Sequence, residues 1–334
     1  MRLRRAATVP PSALRDAVGG TKTGAAPSPR AIRNGILCII GAALLFTSSH
    51  AAIKLEASTF HVVQIVFFRS LFAFVPLAPF LWRSGVDLLK TSRPALHAGR
   101  CVAGITSMFA YFYALGFLPL ADLTAINFTM PLFVTALSVP LLAERVGWRR
   151  WTAVAVGFGG VLLITRPGGG MLDPMILIAL FSAFGYAVAV ICMRRLGSTE
   201  SSATTTFYFT AAGAVVSGAL LPFVWQTPSG VEWAVLIGIG VVSGGAQLMM
   251  TFGYRQAPAA IVAPFDYVAL VWAALLGFVI WGDVPTVWVV SGAAIVIASG
   301  LYILRRETKL ARERARADAA ASTPPQSAAS RGRG

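Results

Sequence analysis

The sequence predicts an all-α membrane protein with about ten transmembrane helices, arranged as two inverted five-helix repeats. Three observations carry this expectation. The 334 residues are 56% hydrophobic and only 12% charged, with a mean hydropathy of +0.72, too few polar groups to cover the surface of a soluble globule. Apolar runs recur at roughly the 20-residue length that crosses a hydrocarbon core as a helix. The chain also matches itself when displaced by 139 positions, as from Pro119 to Pro258.

Taken in order, Met1 to Asn34 is basic and rich in Ala, Pro and Ser, with no apolar core of its own. It reads as a disordered tail (1–34) and not as a cleaved signal peptide. Apolar runs bounded by Gly, Pro or charge follow at 35–54, 61–82, 100–118, 120–143 and 148–165. Five more lie at 172–193, 203–225, 231–252, 258–281 and 284–304. Lipid offers the backbone no hydrogen-bonding partner, so each run is expected to be helical. Beyond Leu304 the segment 306–334 reads as a basic, low-complexity tail, with a short interfacial helix over RRETKLARERAR as the less favoured alternative.

The formal net charge of +15 suggests nucleic acid only until its distribution is seen. With the N-terminus in the cytoplasm, Arg83, Lys90, Arg93 and Arg100 fall in one inner loop, Arg145, Arg149 and Arg150 in the next, then Arg194 and Arg195, then Arg255. Lys54 and Arg166 are left outside. The positive-inside rule therefore favours ten crossings with both termini cytoplasmic. Nucleic acid is not an expected partner; the lipid bilayer is. Cys38, Cys101 and Cys192 are odd in number and show no CxxC or Cys/His spacing, so neither a disulfide framework nor a metal site is expected.

The self-match aligns Ala121 with Ala260, Asn127 with Asp266, Phe128 with Tyr267 and Glu144 with Asp283. It implies halves at 35–168 and 172–305. Five is odd, so the second copy enters the membrane from the opposite side, an arrangement suited to alternating access.

The block GFLPLADLTAINFTMPLFVTALSVPLLAERVGWRRWTAVAVGFGGVLLI resembles the drug/metabolite transporter superfamily, in particular the EamA family of bacterial ten-helix permeases. The likeness rests on the small-residue start of the fourth helix, the mid-helix Pro131, the terminal Glu144 and a Gly-rich fifth helix. The second copy, APAAIVAPFDYVALVWAALLGFVIWGDVP, departs from it: Leu270 stands where Pro131 does, and Asp283 replaces the Glu. The resemblance covers Gly35 to Leu304. It implies a basket of helices around a central cavity and transport of a small organic metabolite across the bacterial inner membrane without ATP hydrolysis. The substrate would be amino-acid-like, nucleoside-like or vitamin-like. No GxxxxGK[ST] loop contradicts this. Neither a cofactor nor catalytic activity is expected, and a homodimer is left open. The alternatives are a non-transporting receptor or scaffold and an intramembrane enzyme; for the latter the chain has no HExxH or GxSG, and Asp283 lacks a GxGD context.

Candidate site residues follow from polar side chains at membrane depth. Asp266 lies about 11 Å into a core of about 30 Å. Ionised there it costs about 2.5 to 3.5 kcal/mol, so it must face a wet cavity, pair with a cation or carry a proton. Proton coupling or cation binding competes with a structural hydrogen bond. Asn127 sits at the mirrored depth and offers donor and acceptor to a substrate, or to a neighbouring helix. Arg69, in VFFRSLF, could attract an anionic group, snorkel, or pair with Asp122 or Asp266. His50, beside Ser48 and Ser49, could couple protons or serve as a neutral hydrogen-bonding residue. Tyr111, Tyr113, Tyr186, Gln247, Tyr267 and Trp272 are candidate cavity lining, with lipid-facing packing as the alternative. Pro131 and Pro264 free backbone carbonyls, as hinges or static kinks. Glu144 and Asp283 read as gate or structural residues, and Gly157, Gly159, Gly160, Gly240 and Gly244 as close-packing surfaces.

Overall fold

A computed structural model describes residues 29–85, 90–142, 147–165, 173–196, 199–256 and 259–322. Among these the chain is all helix, without a strand. The helices are α1 (Pro29–Glu56), α2 (Val62–Phe72), α3 (Phe74–Ser84), α4 (Pro94–Leu115), α5 (Leu120–Asn127), α6 (Met130–Leu142), α7 (Trp148–Thr165) and α8 (Pro174–Leu196). They continue as α9 (Ser202–Leu220), α10 (Gly230–Gln256), the short α11 (Ala259–Val262), α12 (Val268–Trp281) and α13 (Val287–Ser322). A 3-10 turn, Ala263–Tyr267, joins α11 to α12.

Eight segments of the described chain are long and apolar enough to cross a membrane: Pro29–Glu56, Val62–Pro79, Leu120–Leu141, Pro174–Leu196, Ala203–Phe223, Gly230–Gln256, Pro264–Trp281 and Val287–Arg306. Helices α4 and α7, which carry His97 and Arg100, and Arg149 and Arg150, toward their N-terminal ends, are outside that set. Two expected boundaries shift. The N-terminal tail turns helical at Pro29, and α13 runs on to Ser322 through residues expected to be a tail. The reason for the second shift is composition: ETKLARERARADAAA is made mostly of strong helix formers, and Lys309 Nζ reaches Glu313 Oε1 at 3.9 Å one turn on. Residues 1–28, Glu144, Arg145, Arg166 and 323–334 lie outside the described chain.

Three helix pairs dominate the packing: α1 with α10, α4 with α8, and α7 with α13. Small residues bring them together. A Cβ on Gly160 would lie 2.8 Å from the Gly292 carbonyl, so α7 and α13 touch backbone to backbone. Gly240 and Gly244 of α10 do the same against Phe68 and Ala73 of the α2–α3 segment, at 2.8 and 2.7 Å from those carbonyls. Gly157 takes the Leu132 side chain, whereas Gly159 faces open space and packs against nothing. Serine pairs staple two of the interfaces. Ser107 Oγ donates to the Ser182 carbonyl at 2.7 Å and Ser182 Oγ to the Ser107 carbonyl at 2.9 Å, across α4 and α8; Ser49 and Ser243 hydroxyls meet at 2.8 Å across α1 and α10. The apolar core, with Ile53, Ile65, Phe68, Leu115, Leu123 and Ile126 at its centre, lies where α1, α2, α4 and α5 converge.

Two of the helical segments break beside a proline. Pro131 has no N–H for the Asn127 carbonyl four residues back, so α5 ends at Asn127, and α6 restarts at Met130 with Pro131 in its first turn, where the missing donor is harmless. Thr129 bridges the gap by donating to Ile126 O and accepting from Leu132 N, at 3.0 and 2.9 Å. In the last third of the chain Pro264 opens the 3-10 turn that ends at Tyr267. The rings of Phe128 and Tyr267, one from each break, lie 4.7 Å apart.

Candidate functional site

Between α1, α2, α4, α5, α8 and α9 lies a cavity of about 220 Å³. Five residues expected from the sequence line it: His50, Arg69, Tyr111, Asn127 and Tyr186, with Phe46, Gly104, Ser107, Met108, Phe112, Ser182 and Phe209 completing the wall. The aromatic members form one nest. His50 stands 5.0 Å from Tyr111 and 5.9 Å from Phe112, ring to ring, and the Tyr111 hydroxyl lies 3.4 Å from His50 Nδ1. Arg69 pairs with neither Asp122 nor Asp266. Its Nη1 meets the Met108 sulfur at 3.2 Å, its guanidinium sits 5.4 Å over the Phe112 ring, and its Nε is buried without a hydrogen-bond partner among the described residues. Among the described residues no carboxylate lines this cavity.

A second cavity, of about 240 Å³, opens between α6, α8, α10, α13 and the 3-10 turn. Here lie Asp266, Tyr267 and Pro131, together with Thr135, Arg194 and Tyr254. Asp266 Oδ2 accepts a hydrogen bond of 2.5 Å from the Tyr254 hydroxyl, a charge-assisted contact if the carboxylate is ionised. Asn127 and Asp266, at mirrored depths in the sequence, do not share one space. The structure assigns them to two, because the chain turns at the α5 break: Asn127 lines the first cavity and its neighbour Phe128 the second.

The remaining candidates are not brought to either cavity. Tyr113 is 45% exposed against Phe117, two positions and so about 200° around the helix from Tyr111. Gln247 and Trp272 line neither space; the Trp272 Nε1 is buried without a partner among the described residues. Asp283 has a basic neighbour that is distant in sequence: Lys54 Nζ is 3.8 Å from its Oδ2, donates to the Leu118 carbonyl at 2.7 Å and lies 5.0 Å over the Trp281 ring. Arg100, expected in a loop, is instead 8% exposed inside α4, stacked 4.7 Å over Phe209. Sequence reasoning missed Phe46, Phe209 and Tyr254, which are aromatic residues among many others. Among the described residues no cluster of His, Cys, Asp or Glu could hold a metal ion.

A chain whose described residues are all-helical, with eight membrane-length segments, is a multi-pass membrane protein. The chain belongs to the EamA-like transporter family, whose profile matches it at residues 33–166 and again at 173–305. It is 31% identical to an S-adenosylmethionine uptake transporter of Rickettsia felis over 77% of this chain and 87% of that one. It is 28% identical to the pseudopaline exporter CntI of Pseudomonas aeruginosa over 82% and 97% of the two chains, and 30% identical to a riboflavin transporter of Vibrio cholerae over 83% and 95%. A solved crystal structure shares the fold, with a TM-score of 0.58 at 21% identity, covering 81% of this chain and 98% of the other. Family and relatives together make it a small-molecule permease, with transport and not catalysis as the activity they point to.

Proposed function

We propose that this chain is an inner-membrane secondary transporter that moves a small organic metabolite by alternating access, with the His50–Arg69–Tyr111–Asn127–Tyr186 cavity as its substrate site. The observation that carries the reading is convergence: polar residues that would each be costly in lipid come from five separate helices and share one space. The substrate class is a flat or amino-acid-like metabolite, in keeping with relatives named for S-adenosylmethionine, pseudopaline and riboflavin.

The scaffold of this proposal is ten crossings in two inverted repeats, 35–168 and 172–305, with both termini cytoplasmic. Helices α4 and α7 supply the two further crossings; each exposes apolar side chains, Val102 on α4 and Val156 and Leu162 on α7, as lipid requires. Packing supports the repeat. Numbering the crossings in order, the first lies against the eighth and the third against the sixth, and exchanging halves turns one pair into the other. The fifth lies against the tenth, the second against the seventh and the fourth against the ninth, pairs that map onto themselves. Breaks at mirrored positions in the fourth and ninth crossings, with Phe128 touching Tyr267, fit the same two-fold relation.

Asp266 is proposed as the proton-coupling group: it is a carboxylate in a cavity of its own, hydrogen-bonded to a neutral tyrosine. The test is flux into proteoliposomes, using counterflow and imposed proton gradients, with S-adenosylmethionine, riboflavin and amino acids as cargo. Saturable uptake of at least one, lost in Tyr111→Ala, is expected. Protein that moves none of them under either driving force sinks the proposal.

A further inference from the structure

Arg100 has no role in the site described above, yet it is a cation buried among the described residues. It is 8% exposed, its Nε and Nη1 have no hydrogen-bond partner among the described residues, and no carboxylate pairs with it there. His97, one turn away on α4, is 3% exposed with both ring nitrogens likewise unpartnered. Glu200, the acidic group within electrostatic reach of His97, is already engaged by Thr91 Oγ1, Ser92 N and Ser92 Oγ. A buried guanidinium left this way costs far more than one at the surface. Its retention calls for a ligand.

The geometry says where that ligand comes from. Arg100, Gly104, Met108 and Tyr111 are spaced four, four and three apart, so they form one stripe on α4. At the upper end of the stripe Met108 touches Arg69 and Tyr111 lines the cavity. At the lower end, two turns and about 12 Å away, is Arg100. Between them lies Phe209. It lines the cavity and also carries Arg100 on its ring, while Arg100 itself does not line the cavity. The ring comes close to α4 because position 104 is Gly; a Cβ there would fall 2.8 Å from Phe209 Cε2. One aromatic side chain thus separates two cations, each held over a ring and each short of an acceptor.

We propose that the transported molecule carries a carboxylate or similar anionic group, which Arg69 receives in the cavity and Arg100 receives after the Phe209 ring swings aside. Phe209 is the partition, and the two guanidinium groups are successive stations on one path. This rests on the reading of the cavity as the substrate site.

The test uses the full chain in nanodiscs and proteoliposomes. Thermal stability is measured against a panel of aromatic and amino-acid carboxylic acids, each beside its primary amide. Compounds that stabilise the wild type should be acids whose amides do not, and Arg69→Gln should weaken them about tenfold or more. Arg100→Gln should bind the same acids within about twofold yet transport them about tenfold more slowly, with Arg100→Lys restoring part of the flux. Amides that stabilise as well as their acids, or wild-type flux in Arg100→Gln, overturn the proposal. Should Arg100→Gln not fold, labelling of Arg100 by phenylglyoxal decides: Phe209→Ala should raise it severalfold, and equal labelling overturns the partition. If no compound, acid or amide, stabilises the wild type or crosses the membrane, the substrate-site reading itself falls, and this one with it.

Discussion

At the residue scale, five of the polar side chains that stand out in apolar helices share one cavity. His50, Arg69, Tyr111, Asn127 and Tyr186 were all legible as expensive residues at depth, and all line one cavity. What could not be read was rotation about each helix axis. Tyr111 and Tyr113 are equivalent in composition and depth, but only one can face inward, and Tyr113→Ala is expected to leave flux within about twofold of wild type. Arg100 was misjudged because a charge near the start of an apolar run looks like a loop charge until the helix is seen to begin at Pro94. For Asp266, the Asn substitution keeps a hydrogen-bonding oxygen for Tyr254 but cannot exchange a proton. Asp266→Asn should therefore abolish uptake driven by a proton gradient while counterflow persists; gradient-driven uptake at the wild-type rate would remove Asp266 from the coupling role.

At the element scale, the two glycine classes can be separated by experiment. Any side chain on Gly292 meets α7 backbone, whereas one on Gly159 meets open space. Gly292→Val should cost about 1 to 3 kcal/mol through overpacking, and Gly159→Ala nothing measurable, read from denaturation midpoints in matched detergent. The helix breaks were legible from Pro131 and Pro264, but not the assignment of Asn127 and Phe128 to opposite sides, which depends on the geometry of a two-residue gap. Outside the membrane, the segment before α4 is clasped by Glu200. Burial works against the charged carboxylate, but hydrogen bonds from Thr91 and Ser92 outweigh it and hold its pKa below the ordinary carboxylate value. A group depressed in the folded state contributes stability that is present above its unfolded pKa and lost as pH falls through the folded one. Acidification through the carboxylate range should thus narrow the stability gap between wild type and Glu200→Gln; a gap independent of pH would show the clasp to be inert.

At the scale of the whole molecule, the all-helical membrane character was legible because the hydrocarbon core fixes element length, and eight described segments reach that length. The division into two cavities was not, since it arises from contacts between crossings far apart in sequence. One such contact ties three of them: Lys54 joins the end of α1 to Trp281, the last residue of α12, to Asp283 just beyond it and to the Leu118 carbonyl before α5. In the proposed orientation this cluster would tie three helix ends together at the outer face and so act as a latch on it. Lys54→Met should then raise the fraction of outward-open protein, read as faster alkylation of a cysteine introduced at Phe46; unchanged alkylation would make the cluster a structural tie only.

The pairing of helices has a consequence for biosynthesis. The three most extensive interfaces, α1 with α10, α4 with α8 and α7 with α13, each join a helix made early to one made late. When the ribosome has finished α7, none of them exists, and Arg100, Ser49 and Ser107 wait for Phe209, Ser243 and Ser182, which are not yet translated. A nascent chain in that state is a natural client for membrane insertases and quality-control proteases. The two halves expressed apart should be short-lived, and expressed together they should rescue each other.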